Sequence, residues 1–143
     1  LNFRKFRIYL KEKFSISVAY YFIGYMKENQ SLYDYLTDCG YKLIFKPTFP
    51  DREGEIKGNI DANLVLQAMI DWDKYNKAVI VTSDGDFYCL IRHWREHNKL
   101  LRVISSSQEG CSCLIKQEAD SKISYIEELR NRLEYHNNRR GTS

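Results

Sequence analysis

Three aspartates, Asp61, Asp84 and Asp86, are the residues of this chain whose types and spacing most readily do chemistry. Two of them flank a glycine in Val79-Ile80-Val81-Thr82-Ser83-Asp84-Gly85-Asp86-Phe87, where an apolar, β-branched run stops abruptly and a helical pattern begins. That order puts carboxylates at the C-terminal edge of a buried parallel strand, the edge at which open α/β sheets bind ligands. Asp61 opens another helical stretch just after Lys57-Gly58-Asn59-Ile60. Carboxylates crowded at one edge repel each other unless a positive charge lies between them. A divalent cation that favours oxygen donors, such as Mg²⁺ or Mn²⁺, meets that need. Around such a cation, carboxylates can activate water and stabilise charge on a phosphate during in-line displacement. A single aspartate at a helix start is more often a cap or a first-turn partner of the helix dipole. The three together, with Gly85 supplying a tight turn that aims both neighbours inward, make the metal reading the more specific one.

Other chemistry-bearing groups are fewer. Lys57 lies four residues before Asp61 and suits a phosphate or a carboxylate, although a loop lysine is usually just solvated. Ser83 can hydrogen-bond a ligand or close the turn. Tyr25, just past a strand end, and Tyr88, just after the acidic motif, are the tyrosines best placed to stack a base; most of the others fall on apolar faces and read as packing. His93 and His97 are four apart on one helix face, a spacing that can hold a metal. Trp94 follows the first, where a zinc-protease motif has glutamate, so half-buried or surface histidines are the default reading. Cys39, Cys89, Cys111 and Cys113 lack zinc-like spacing and read as reduced thiols of a cytoplasmic protein.

The elements that must position these groups follow from periodicity. Helices are expected over roughly 2–14, 28–39, 61–72, 87–97, 114–119 and 125–135, and strands over 16–24, 41–46, 77–82 and 100–105. Gly40 is a plausible residue just past a helix end. Residues 47–58, broken by Pro50 and Gly54, read as a polar, mobile loop, and 136–143 as a disordered tail. Strands alternating with helices argue an α/β fold with a mainly parallel sheet covered on both faces. At 143 residues the chain suits one domain, taken as 1–135. The net charge of +3 permits an anionic partner without demanding one. The sequence shows no signal-peptide pattern and no apolar run of about 18 residues that could span a membrane.

Lys57-Gly58-x-x-Asp61 opening a helix, then Ser83-Asp84-Gly85-Asp86-Phe87 after a strand, resembles the NYN-domain branch of PIN-like nucleases. The likeness extends over most of residues 2–120. It implies a three-layer α/β/α, Rossmann-like sandwich and Mg²⁺- or Mn²⁺-dependent cleavage of RNA, single-stranded or structured. By the same resemblance Asp61, Asp84 and Asp86 are the catalytic and metal-binding carboxylates, with Asp84 the leading direct ligand. Lys57, Ser83 and Tyr88 would then contact substrate, and a homodimer is compatible with the pattern. Relatives begin with a strand ending in Asp-x-x-Asn; Leu1 already aligns beyond it, so the chain reads as N-terminally incomplete. Asn63 and Gln67 stand where many relatives carry acids. The alternative expectation is therefore an inactive RNA-binding or regulatory module on the same fold. An aspartyl-nucleophile phosphatase is a distant third, because no strand ends in a nucleophile-type Asp-x-Asp followed by the partner residues that such enzymes use.

Overall fold

The structure is a computed structural model that describes residues 1–47, 49–50, 56–57 and 60–130, with the backbone alone at 49–50 and 56–57. Its backbone falls into two compact units, one ending at Ile70 and the other beginning at Asp71.

The first unit opens with α1 (Phe3–Phe14). Asn2 caps its start by accepting from the Lys5 N–H at 3.0 Å, and Lys11 and Lys13 lie in the last turn, where the helix dipole favours cations. Ser15 ends it in the left-handed region (φ 57°), its N–H bonded back to the Lys11 carbonyl. Phe6 and Leu10 form the buried stripe. Strand β1 (Ala19–Gly24) follows, then a 3₁₀ turn and α2 (Gln30–Asp38). Gly40 reverses the chain into β2 (Tyr41–Lys46) at φ 104°, a conformation that a Cβ would strain. β1 and β2 pair in parallel, from Ala19 opposite Tyr41 to Gly24 opposite Lys46. Leu36, Cys39 and Tyr41 form the core here, with Phe3, Ala19, Tyr21 and Leu43 packed around them. Burial pushes the Tyr41 phenol up to about 12, so it stays protonated and donates to the Phe3 carbonyl at 2.7 Å.

The segment expected as a loop after Pro47 contains two short strands, β3 (Phe49–Pro50) and β4 (Ile56–Lys57), paired antiparallel. Proline is tolerated there because so short a ladder asks little of its missing N–H. The expected mobility of the rest of 47–58 lies outside the described residues. Helix α3 (Asp61–Ile70) closes the unit.

The second unit is a parallel sheet in the order β5 (Ala78–Val81), β6 (Leu100–Ser105), β7 (Ile123–Tyr125). Helices α4 (Tyr88–Glu96) and α5 (Cys113–Ala119) of this unit pack on each other. β6 lies between two neighbours, and Leu100, Val103, Ile104 and Ser105 have no exposed surface. Glu118 joins the two helices: the Arg92 guanidinium donates to its carboxylate at 2.5 and 3.1 Å, and Arg95 donates to its backbone carbonyl at 2.7 Å.

Residues 123–125 form a strand that was not expected, and the helix expected from about 125 follows it. The strand extends the sheet beside β6, and the helical turn starts at 126. Its continuation to 135 and the tail 136–143 lie outside the described residues. Mixed α/β structure with parallel sheets is what the PIN-like α/β/α class requires. Among the described residues, no helix is long and apolar enough to cross a membrane.

Candidate metal centre

β5 ends at Val81, and the next five residues build the acidic edge. The Thr82 N–H donates to the Ile104 carbonyl, which carries the β5–β6 ladder one step further. The Thr82 hydroxyl then accepts from the Asp84 N–H at 3.1 Å. Asp84 caps the 3₁₀ turn Gly85–Phe87 that leads into α4, and its Oδ1 accepts from the Asp86 N–H at 2.9 Å. This is the cap anticipated for a lone aspartate. It orients the carboxylate, and the second oxygen has no partner among the described residues. Asp86, in the first turn, is also exposed. One carboxylate oxygen of Asp84 and one of Asp86 come within 4.8 Å of each other, a spacing that one cation can bridge.

Ser83 is held by its neighbours. Its hydroxyl exchanges hydrogen bonds with those of Ser105 at 2.7 Å and Ser106 at 2.8 Å, and it accepts from the Ser106 N–H at 3.0 Å. Its carbonyl accepts from the Ser112 N–H at 3.3 Å, just before α5. The serine thus fastens the end of β5 to the end of β6 and to the next helix. The roles of Ser105 and Ser106 were not legible from their positions, because parallel pairing alone brings them to Ser83. The role of Ser112 could have been found: a serine directly before an apolar run is an N-cap signal. It does cap α5, its Oγ accepting from the Leu114 N–H at 3.2 Å.

The tight turn expected at Gly85 is there, as the start of the 3₁₀ turn Gly85–Phe87. The φ of Gly85 is not positive, and its lack of a side chain serves a close approach: a Cβ there would lie 2.5 Å from Ser112 Oγ and 3.1 Å from Ser112 Cβ.

The remaining expected residues are placed as follows. Asp61 is the first residue of α3 and half-buried. Lys57 is opposite Phe49 in the β3–β4 ladder, and its side chain is outside the described structure. Tyr88 opens α4, half-buried, with the Arg92 guanidinium 5.5 Å from its ring centre. Asn63 and Gln67 lie on α3. Tyr25 is exposed at the end of β1, edge-on to Phe45 at 5.5 Å and stacked near Tyr33 at 5.8 Å.

Parallel strands with carboxylates at a C-terminal strand edge fit a PIN-like α/β/α fold. The NYN-domain family model matches residues 1–127, and the chain belongs to that family. NYN domains are PIN-like nucleases, generally dependent on a divalent metal. Among solved structures, a protein of unknown function from Vibrio parahaemolyticus superposes with a TM-score of 0.70 at 20% identity, covering 87% of this chain and 77% of that one. That likeness shows a shared fold. No curated protein matches the chain.

Proposed function

We propose that this protein is a metal-dependent ribonuclease, a single domain over residues 1–135, in which Asp61, Asp84 and Asp86 hold Mg²⁺ or Mn²⁺. The observation that carries this reading is the Asp84–Asp86 carboxylate pair at the C-terminal edge of β5 in a chain of the NYN family. A donor set made only of carboxylate oxygens suits a hard divalent cation. When bound, such a cation would generate the attacking hydroxide and neutralise charge building on the scissile phosphate.

The chain's own contribution is orientation. Asp84 presents its unbonded oxygen in a direction fixed by the bond from the Asp86 N–H. Asp61 adds a third carboxylate from the start of α3. Lys57 neutralises a substrate phosphate, Tyr88 offers a ring face to a base, and Ser83, through its hydroxyl contacts, holds the acidic turn in register beneath the RNA. The four cysteines are all free thiols, which supports a reducing, cytoplasmic setting.

The test is cleavage of end-labelled single-stranded and hairpin RNA, with Mn²⁺ or Mg²⁺, at near-stoichiometric protein. Asp84→Asn is the decisive variant, because asparagine caps a helix as well as aspartate does and so removes the charge while sparing the turn. Metal-dependent cleavage that Asp84→Asn abolishes supports the nuclease. Cleavage that survives the substitution sinks it. RNA retained uncut, indifferent to metal and to Asp84→Asn, would make the protein the binding module that Asn63 and Gln67 suggest.

A further inference from the structure

The C-terminal end of α4 carries a second cluster of metal-ligating side chains that the acidic centre does not use. His93, in the last turn, and His97, at the C-cap, have ring centres 4.2 Å apart. Nδ1 of His97 lies 2.8 Å from the His93 carbonyl oxygen. A carbonyl can only accept, so Nδ1 carries the proton and the neutral ring keeps its lone pair on Nε2. Metal-binding histidines are commonly held in this way, the second ring nitrogen donating to a backbone carbonyl that fixes tautomer and orientation. Trp72 flanks the pair, its ring 4.9 Å from His93 and 5.5 Å from His97. His93 is half-buried and His97 exposed, so water can complete a coordination shell.

We propose that His93 and His97 form a two-histidine site for a divalent transition ion of the imidazole-preferring class: Zn²⁺, Ni²⁺ or Cu²⁺. Two imidazoles select this class over Mg²⁺ and Mn²⁺, which the carboxylates favour. Both ligands ride on one helix four residues apart, so binding one imidazole brings the ion to the other at no further translational cost. Among the described residues, no third histidine, cysteine, aspartate or glutamate joins them, so the remaining positions are filled by water. The Lys99 ammonium also lies over the Trp72 ring, at 4.8 Å, and is held there by the carbonyls of Trp72 and Tyr75. Its charge lowers affinity for a cation without occupying either imidazole.

The experiment is a Ni²⁺ titration of the reduced protein followed by tryptophan fluorescence, since Trp72 is beside the pair and Ni²⁺ does not oxidise thiols as Cu²⁺ does. Saturable quenching is expected, reversed by a chelator. His93→Gln or His97→Gln should raise the midpoint at least about tenfold, because either change turns chelation into single-point ligation. Asp84→Asn should leave the midpoint unchanged, which keeps this site distinguishable from the acidic one. The exposed thiols are controlled by Cys89→Ser and Cys113→Ser, which should also leave it unchanged. In parallel, stoichiometric Zn²⁺ should shift the imidazole resonances of two of the three histidines. An unaltered midpoint in either histidine variant, or histidine resonances indifferent to Zn²⁺, would overturn the proposal.

Discussion

Replacing Gly85 by alanine tests the close approach at the acidic edge. The new Cβ would lie 2.5 Å from Ser112 Oγ, so the hydroxyl must retreat by about 0.9 Å to reach the 3.4 Å of ordinary contact. That hydroxyl is the cap of α5, and rotating it away leaves the Leu114 N–H without its acceptor. Loss of such a cap costs about 1 kcal/mol. Ser112 Cβ, at 3.1 Å, must also give by a few tenths of an ångström, and overpacking of this kind costs about 1–3 kcal/mol. Alanine stiffens the unfolded chain, which returns roughly 0.4–1 kcal/mol. The net expectation is a destabilisation of about 1–3.6 kcal/mol, read as a lower urea midpoint with unchanged slope. The control is Ser112→Gly, which removes both clashing atoms and by itself costs only a few tenths of a kcal/mol, glycine being a fair cap. Gly85→Ala should therefore cost little in the Ser112→Gly background, giving a coupling of at least about 1 kcal/mol in the double-mutant cycle. An additive cycle, or a Gly85→Ala protein as stable as its parent, would refute the close-approach account.

Two further outcomes follow from the described contacts. The Tyr33 hydroxyl, on a side chain only 2% exposed, accepts from the Met26 N–H at 2.8 Å and donates to the Gly24 carbonyl at 3.2 Å. Tyr33→Phe strands both and should cost about 1–3 kcal/mol in urea unfolding; a change within error would mean that water satisfies them. Glu118 is held below the ordinary carboxylate range, first by the hydrogen bond from Arg92 and then by the charges of Arg92 and Arg95. Its folded value lies below the unfolded one, so its stabilisation is full above about pH 4.3 and is lost as pH falls through the folded value. The gap in melting temperature between parent and Glu118→Gln should narrow over that acid range, and a constant gap would contradict the assignment.

The strands Tyr41–Lys46 and Leu100–Ser105 were legible to the residue because each apolar run is punctuated sharply, by Gly40 and Pro47 in one case and by Lys99 and a serine run in the other. Ile123–Tyr125 was not, since three residues carry no period and become a strand only by pairing with β6. The same holds for Phe49–Pro50 and Ile56–Lys57. In the acidic centre, Asp-Gly-Asp after a β-branched run announced the Asp84–Asp86 pair, because strand and turn are local facts. The reason for Gly85 was hidden, for it depends on Ser112, far along the chain. Ser83 looked like a ligand or turn residue; its partners at and just past the end of β6 are a consequence of sheet pairing that no spacing encodes.

The hydroxyls of Ser83, Ser105 and Ser106 have one more consequence. In both contacts either oxygen can be the donor, so the three protons admit more than one circuit with the same heavy-atom positions. A change of charge at the neighbouring Asp84 can therefore be answered by reversing the circuit, which turns the local dipole while every oxygen stays in place. Along these hydrogen bonds the sheet edge can answer a nearby charge by moving protons alone.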